Sequence, residues 1–205
     1  MAFGDDLSHH PDTQRLEAFS DGVFAIAITL LIIEIGVPHV EGSGSLSGAL
    51  RDLWPSYFGY AVSFMTIGIM WANHHDMFKD IERTDHTLLV LNLLLLMGVA
   101  FIPFPTAVMA EYLREGHHKP EAALIYVTAF EVIGLAFNAI WLYASVGRRL
   151  IDEHVSDERV RSRTLRYIPG PLSYAVAMPL VFVSYWMALG IVAVLMFMYL
   201  LPLRE

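Results

Sequence analysis

The chain has 205 residues, of which 56% are hydrophobic and only 17% are charged, whereas soluble domains carry roughly 25% charged residues, so the composition favours a membrane protein. The formal net charge of −8 argues against a nucleic-acid-binding protein, which needs a clustered basic surface. The chain has no cysteine, which excludes disulfide bonds, thiol catalysis, iron–sulfur clusters and cysteine-ligated zinc sites.

Long apolar runs predict that the chain crosses a membrane six times. A transmembrane helix needs about 20 mostly apolar residues. Four runs of that kind precede a longer one, which must contain two spans with a break at 184–190. A five-span alternative would place the C-terminus outside. The sequence therefore predicts an all-α, polytopic membrane protein with one domain over 1–205 and spans at 18–37, 54–78, 87–109, 122–146, 169–185 and 187–203.

The distribution of basic residues predicts the orientation of these spans. Lys and Arg accumulate on the cytoplasmic side of multi-pass membrane proteins. With the N-terminus inside, ten of the 13 Lys and Arg side chains lie in inner segments, and only Arg51, Arg114 and Lys119 lie outside. We therefore expect a multi-pass protein of the cell membrane with both termini cytoplasmic.

Six of the inner arginines lie between the fourth and fifth spans, in the segment 148–167. We interpret this segment as a solvated loop that stays on the cytoplasmic side. An alternative is that the segment lies against anionic lipid headgroups, which attract basic segments near a membrane surface.

Polar side chains cluster near the inner ends of the first three spans. Arg15 and Asp21 lie in the first span, but they point about 120° apart on a helix and cannot pair with each other. Ionisable groups in membrane helices usually find partners on other helices. We therefore expect both to contact spans two and three, with His74 and Asn92 as the main candidates. We interpret the cluster as a structural hydrogen-bond network, with gating or proton sensing as the alternative.

Metal, cofactor and enzymatic sites are not indicated by the sequence. The run His74-His75-Asp76 holds three ligand types, but adjacent residues on a helix diverge by about 100°. The chain lacks the His-Glu-x-x-His and Gly-x-Ser-x-Gly motifs. We therefore expect no metal site, no cofactor and no catalytic residue.

One face of the first span carries a continuous stripe of side chains that project within about 60° of one direction. The stripe is either a seam between helices of one chain or the lining of a pore. In a pore, copies of span one would stack Ile26, Leu30 and Ile33 into apolar rings that gate by dewetting. Small residues beside the stripe permit close approach of helices, at Ala18, Gly22 and Ala25. The stripe comprises Arg15, Phe19, Gly22, Ile26, Thr29, Leu30 and Ile33.

Motifs in the first three spans resemble those of a known family. They are Arg15-x-x-x-Phe19-Ser20-Asp21-Gly22, then Trp71-x-x-His74-His75-x-x-Phe78, then Asn92 with four following leucines and Phe101-Ile102-Pro103-Phe104-Pro105-Thr106. Together they resemble the lysosomal and bacterial potassium-channel family called transmembrane protein 175. The last three spans match this family only by hydropathy, and the length is similar to that of a single six-helix prokaryotic subunit.

The resemblance implies a homotetramer of six-helix subunits whose first helices line a central pore. The Thr-Val-Gly-Tyr-Gly carbonyl filter is absent from the family and from this chain. The family's main apolar constriction carries over to Ile26, and further pore positions carry over to Thr29, Leu30 and Ile33. The other motif residues carry over as the interhelical network, namely Arg15, Phe19, Ser20, Asp21, Trp71, His74 and Asn92.

The leading hypothesis for function is a passive cation channel that conducts potassium, with selectivity and gating by stacked apolar side chains of the first span. The expected partners are potassium ions, the lipid bilayer and further copies of the chain in a homotetramer. One alternative is a proton-conducting channel or leak pathway, prompted by the nine histidines and by the association of animal relatives with proton leak. Another is a non-conducting membrane scaffold.

Overall fold

The computed structural model describes residues 11–40 and 44–200, and these form helices joined by short connections. Residues 201–203 of the predicted sixth span and Arg204 of the predicted inner side lie outside the described residues. One isolated β-bridge joins Ile81 to Ile151. The α-helices of the described ranges are α1 (Pro11–Leu30), α2 (Leu46–Asp52), α3 (Trp54–Phe78), α4 (His86–Phe101), α5 (Pro103–Glu115), α6 (Lys119–Ser145), α7 (Asp157–Tyr167), α8 (Pro169–Leu180) and α9 (Tyr185–Leu200).

Three helical segments are long and apolar enough, by length and composition, to cross a membrane. They are Thr13–Ile35, His86–Glu115 and Lys119–Arg148, and they overlap the predicted spans one, three and four. Helix α3 has 25 residues and is about 37 Å long at 1.5 Å per residue, while α9 is a shorter apolar helix. The chain is therefore an all-helical, multi-pass membrane protein, and the number of six spans stays a prediction.

A proline divides the segment His86–Glu115 into α4 and α5. Pro103 has no N–H and cannot form the helical bond to the carbonyl of Val99. The N–H of Ile102 donates to that carbonyl instead, at 3.1 Å. Because Ile102 keeps helical φ and ψ angles of −53° and −38°, the segment stays one helical span with a kink.

The last apolar stretch breaks earlier than expected. The break between α8 and α9 lies at 181–184, upstream of the predicted 184–190. Pro179 lies in the last turn of α8 and has no N–H for a helical bond. The carbonyl of Ser184 then accepts a helical bond from the first turn of α9. The predicted position of the break is therefore wrong, because the proline ends the helix first.

Helix α6 lies at the centre of the bundle. It packs against α4, α5, α8 and α9 and buries Phe130, Ile133, Ile140 and Trp141 almost completely. Helix α4 approaches it closely at Gly98, where a Cβ atom would lie 2.9 Å from Cγ1 of Ile133. Helix α1 packs only against α3 and α4 among the helices of the described chain, so it lies at the edge of the bundle.

The basic segment 148–167 contains helix α7 and packs against the rest of the chain. The side chain of Asp80 is buried, and its carboxylate pairs with Arg159 at 3.0 Å and with Arg163 at 3.2 Å. Burying a carboxylate requires such partners. The expectation of a solvated loop is therefore wrong for these two arginines.

Asp85 ties the start of α4 to α6. Its Oδ1 atom accepts the N–H of Leu88 at 2.9 Å, which caps the helix, and its Oδ2 atom accepts the hydroxyl of Tyr143 at 2.6 Å. The Tyr143 bond, followed by the backbone bond, holds the pKa of the Asp85 carboxyl below its usual value. The inner ends of α4 and α6 are thus joined by one carboxylate.

Candidate functional site

Helix α1 has one buried face and one exposed face. The buried face packs on α3 and α4 through residues three or four positions apart, namely Leu16, Ser20, Phe24 and Ala27. On the exposed face, Ile26 is 60% exposed and Ile33, just beyond the helix, is 68% exposed. The described part of the chain thus leaves the predicted stripe uncovered along its whole length, at Arg15, Phe19, Gly22, Ile26, Thr29, Leu30 and Ile33.

Thr29 interrupts the apolar part of the stripe without presenting a free hydroxyl. Its Oγ1 atom lies 2.9 Å from the carbonyl oxygen of Ile26 and 3.1 Å from that of Ala25. Both are carbonyls of the helix to which Thr29 belongs, so its single hydroxyl proton is used within α1. The stripe therefore behaves as an apolar surface at this position.

A buried polar chain links α1, α4 and α3 on the opposite face. Ser20 donates its hydroxyl proton to the carbonyl of Leu16 at 2.8 Å and therefore accepts from Nδ2 of Asn92 at 2.9 Å. This orients Oδ1 of Asn92 toward Nε2 of His74, at 2.9 Å, so His74 donates from Nε2. The Nδ1 atom of His74 is buried and has no partner in the described chain, which fits a neutral imidazole.

Two further pairs join the flank of α1 to α3. The indole N–H of Trp71 donates to Oδ1 of Asp21 at 2.8 Å, and Nδ1 of His75 contacts Oε1 of Glu17. Trp71 and His75 stack with an interplanar angle of 13°. Because the members of each helix are four residues apart, the two pairs lie side by side and fix both the distance and the rotation of α1.

The sequence prediction for the network is correct for some residues and wrong for others. The structure brings Ser20, His74 and Asn92 together and pairs Asp21 with Trp71 instead of His74 or Asn92. Arg15 is exposed and forms no hydrogen bond or ion pair with the described residues. The expectation that Arg15 contacts spans two or three is therefore wrong within one chain, and Phe19, 55% exposed, also lies on the stripe.

Some polar contacts were not anticipated from the sequence. Glu17 was missed, although its spacing from Asp21 matches the spacing of Trp71 and His75 and could have indicated two parallel pairs. A second buried cluster near the kink was missed as well. There the hydroxyl of Ser63 bonds Thr106 at 2.8 Å and Tyr126 at 2.9 Å, which joins α3, α5 and α6. Single hydroxyl residues in apolar runs gave no signal for that cluster.

The end of α1 opens into a cavity of about 770 Å³. Carboxylates of Glu34, Asp52 and Glu111 line it, together with His39 and Arg114, and Arg114 pairs with Glu111. The lining is therefore net negative, which raises the local concentration of cations. Within the described residues, no group of three His, Cys, Asp or Glu side chains is arranged to hold a metal ion.

Known proteins share this sequence and fold. The family model described as endosomal/lysosomal potassium channel TMEM175 matches residues 15–103. A potassium channel of Streptomyces collinus is 48% identical over 173 residues, which are 84% of each chain. A lysosomal potassium-selective channel TMEM175 homologue from Chamaesiphon minutus, known from its crystal structure, is 44% identical, with a TM-score of 0.83 over 93% of this chain and 97% of that one.

More distant relatives occur in animals. The endosomal/lysosomal proton channel TMEM175 of Gallus gallus is 32% identical over 151 residues, which cover 70% of this chain but only 30% of that longer protein. The helical fold, the apolar spans and these similarities define a membrane channel, a class without catalytic chemistry. The chain belongs to the TMEM175 family.

Proposed function

We propose that this protein is a passive potassium channel that assembles as a homotetramer with four copies of α1 around a central pore. The observation that carries the proposal is the stripe, since one chain leaves a whole face of its N-terminal membrane helix uncovered. The opposite face of the same helix is held by the buried chain Ser20–Asn92–His74. The bacterial relatives named as potassium channels support the choice of ion.

The mechanism follows from the apolar character of the stripe. Four Ile26 side chains meeting near an axis form a ring too narrow for a hydrated ion, and Leu30 and Ile33 add further rings. Such constrictions gate by dewetting and require no moving charged group. Sodium holds its water more tightly than potassium, so a dehydration barrier favours potassium. The negatively lined cavity at the end of α1 supplies cations to the pore.

The residues that the single chain does not use for its own packing take their place between subunits. Arg15 and Phe19 lie on the stripe, and we assign them to contacts with neighbouring copies of α1. Ser20, Asp21, Trp71, His74 and Asn92 hold α1 on its own subunit, so they set the direction in which Ile26 points. The proposed pore-lining set remains Ile26, Thr29, Leu30 and Ile33.

The proposal includes six spans in a single domain over 1–205, with α8 and α9 as the fifth and sixth. Both termini are assigned to the cytoplasm and the protein to the cell membrane. Support comes from the bias of basic residues. The packing of basic α7 against the inner end of α3, through Asp80 and Arg163, agrees with this orientation.

The test is planar bilayer recording of Ile26→Asn in paired potassium and sodium solutions. An amide in the ring wets the constriction, so we expect a larger current and weaker discrimination between potassium and sodium. Val132→Asn is the matched control, because Val132 is 54% exposed on α6, which is not among the helices packed against α1. If Ile26→Asn leaves both conductance and reversal potential unchanged in an intact oligomer, α1 does not line the ion path.

A second candidate function is proton conduction, which the names of the animal relatives favour. Vesicles containing the protein separate the two candidates. A potassium gradient drives flux through a potassium channel at constant pH, whereas a pH gradient alone drives flux through a proton channel. Absence of flux under both gradients would indicate a non-conducting scaffold.

A further inference from the structure

An amphipathic groove of about 220 Å³ runs along the outside of the chain between α3 and α9. Its wall on α3 is apolar and includes Phe64, Met65, Gly68 and Ala72, and Leu200 of α9 completes it. Phe64 and Met65 are each 38% exposed, so the groove is open at the surface. Because α3 and α9 belong to the membrane domain, this opening faces lipid or another membrane helix.

One end of the groove is polar and carries an unpaired cation. Arg166 lines this end together with Asn73 and Asp76. The Nε atom of Arg166 is buried without a hydrogen-bond partner, and its guanidinium forms no ion pair with the described residues. Asp76 already pairs with Lys79 at 3.0 Å. The charge left for a ligand at this end is therefore the positive charge of Arg166.

Arg166 is held in place by backbone contacts that do not use its charge. The hydroxyl of Tyr199 on α9 donates to the carbonyl oxygen of Arg166 at 3.0 Å and accepts the N–H of Gly170 at 3.1 Å. These bonds tie α9 to the junction of α7 and α8, so the cationic end and the apolar wall keep a fixed relation. The guanidinium itself remains available.

The apolar space continues inward from the groove. A second cavity, of about 70 Å³, shares Ile69, Asn73 and Tyr199 with the groove and is lined further by Phe130 and Met196. A fixed cation beside a long apolar wall matches a molecule with an anionic head and a hydrocarbon chain. Basic pockets between membrane helices bind lipid headgroups for this reason.

We propose that this groove is a binding site for one anionic phospholipid. The guanidinium of Arg166 binds the phosphate through charge-assisted hydrogen bonds, for which its planar, forked donors are suited. One acyl chain lies along α3 past Gly68, toward Phe64. The site lies in the leaflet at the end of α3 that carries Asp76, and it is separate from the stripe on α1.

Lipid affinity of the purified oligomer in detergent tests the headgroup contact. Native mass spectrometry with dioleoylphosphatidylglycerol should give an affinity about ten-fold weaker for Arg166→Gln, the equivalent of one charge-assisted contact. Arg166→Lys should retain most of the affinity. Arg161→Gln, which removes an exposed arginine of the same helix outside the groove, should bind like the unaltered protein.

Equal losses in Arg166→Gln and Arg161→Gln would overturn the site, because they would indicate general attraction to basic residues. Equal affinity of the unaltered protein for dioleoylphosphatidylcholine would overturn the anionic preference. Equal stabilisation by glycerol phosphate, which has no acyl chain, would overturn the role of the apolar wall.

A second variant tests the acyl-chain path independently of Arg166. A Cβ atom at Gly68 meets nothing within 4 Å, so Gly68→Trp fills the groove without a clash inside the chain. We expect it to weaken binding of dioleoylphosphatidylglycerol at least as much as Arg166→Gln, while Gly190→Trp, at an equally open position on α9, does not. If Gly68→Trp instead dissociates the oligomer and leaves lipid affinity unchanged, the groove is an interface between copies and the proposal fails.

Discussion

At the scale of single residues, the contacts that hold α1 on its subunit are made mainly by neutral groups. Ser20, Asn92 and His74 are fully buried, and each bond in their chain joins an uncharged donor to an uncharged acceptor. A charged pair at this depth would have to overcome a large desolvation penalty. The carboxylates of Asp21 and Glu17 lie instead on the flank, where the helix is less buried.

Asn92→Ala tests the buried chain. It removes the acceptor of the His74 N–H and the donor to Ser20, so we expect the free energy of unfolding to fall by about 1–3 kcal/mol. Thermal unfolding of the purified protein measures the effect. Asn73→Ala is the matched control, because Asn73 bonds only the carbonyl of Ile69 in its own helix. Equal melting temperatures for the two variants would show that the buried chain contributes no stability.

Prediction of these residues from the sequence succeeded where a polar group in an apolar span needed a partner. Ser20, His74 and Asn92 are costly to bury alone, so their clustering could be inferred from depth in the membrane. Arg15 failed the same argument because its surroundings within the chain end at the exposed stripe. A partner on another copy of the chain cannot be located from one sequence.

At the scale of helices, close approach between α4 and α6 determines the width of the bundle. Gly98 allows the backbone of α4 to lie against the side chain of Ile133, which is buried in α6. Small residues allow membrane helices to gain van der Waals contact, and this contact takes the place of the hydrophobic driving force that lipid removes. The same pair of helices is joined at its inner end by Asp85 and Tyr143.

Gly98→Val should therefore separate the two helices. The added Cβ would lie 2.9 Å from Cγ1 of Ile133, and overpacking of this kind costs about 1–3 kcal/mol. We expect a lower melting temperature and a lower yield of oligomer in size-exclusion chromatography. Gly190→Val makes the same change at a position with open space and should have little effect. A normal melting temperature for Gly98→Val would mean that α4 and α6 are not closely packed there.

Helix positions were predictable from hydropathy, but their interruptions were predictable only in part. Pro103 kinks a span that the sequence treats as one run, and Pro179 moves the break in the last run upstream of the expected place. Helix α7 was missed because its residues are mostly charged and carry no apolar period. It folds because Asp80, in the connection between α3 and α4, supplies a buried counter-ion for its arginines.

At the scale of the whole molecule, the orientation in the membrane follows from charges that the fold then uses. Basic residues at 148–167 favour the cytoplasmic side, and several of them pair with carboxylates of the same end of the bundle. The composition predicts the all-helical membrane class directly, since few soluble folds tolerate so apolar a sequence. The tetramer cannot be derived from one chain and depends on the family.

Cysteine labelling tests the orientation. The chain has no cysteine, so single substitutions at exposed serines report without background. Ser47→Cys, in α2, should react with an impermeant maleimide added outside intact cells. Ser162→Cys, in α7, should react only after the membrane is made permeable. The reverse pattern would invert the proposed topology.

The two-faced character of α1 has a consequence for how the complex forms during biogenesis. All buried bonds of α1 are made within one polypeptide, so a newly inserted subunit can reach its final fold before it meets another. Its stripe is then solvated by acyl chains, which are as apolar as isoleucine, and no water is released when copies associate. Association must instead come from the fit of Ala18, Gly22 and Ala25 against a neighbouring helix. The quaternary equilibrium should therefore depend on the protein-to-lipid ratio and on chain packing in the bilayer.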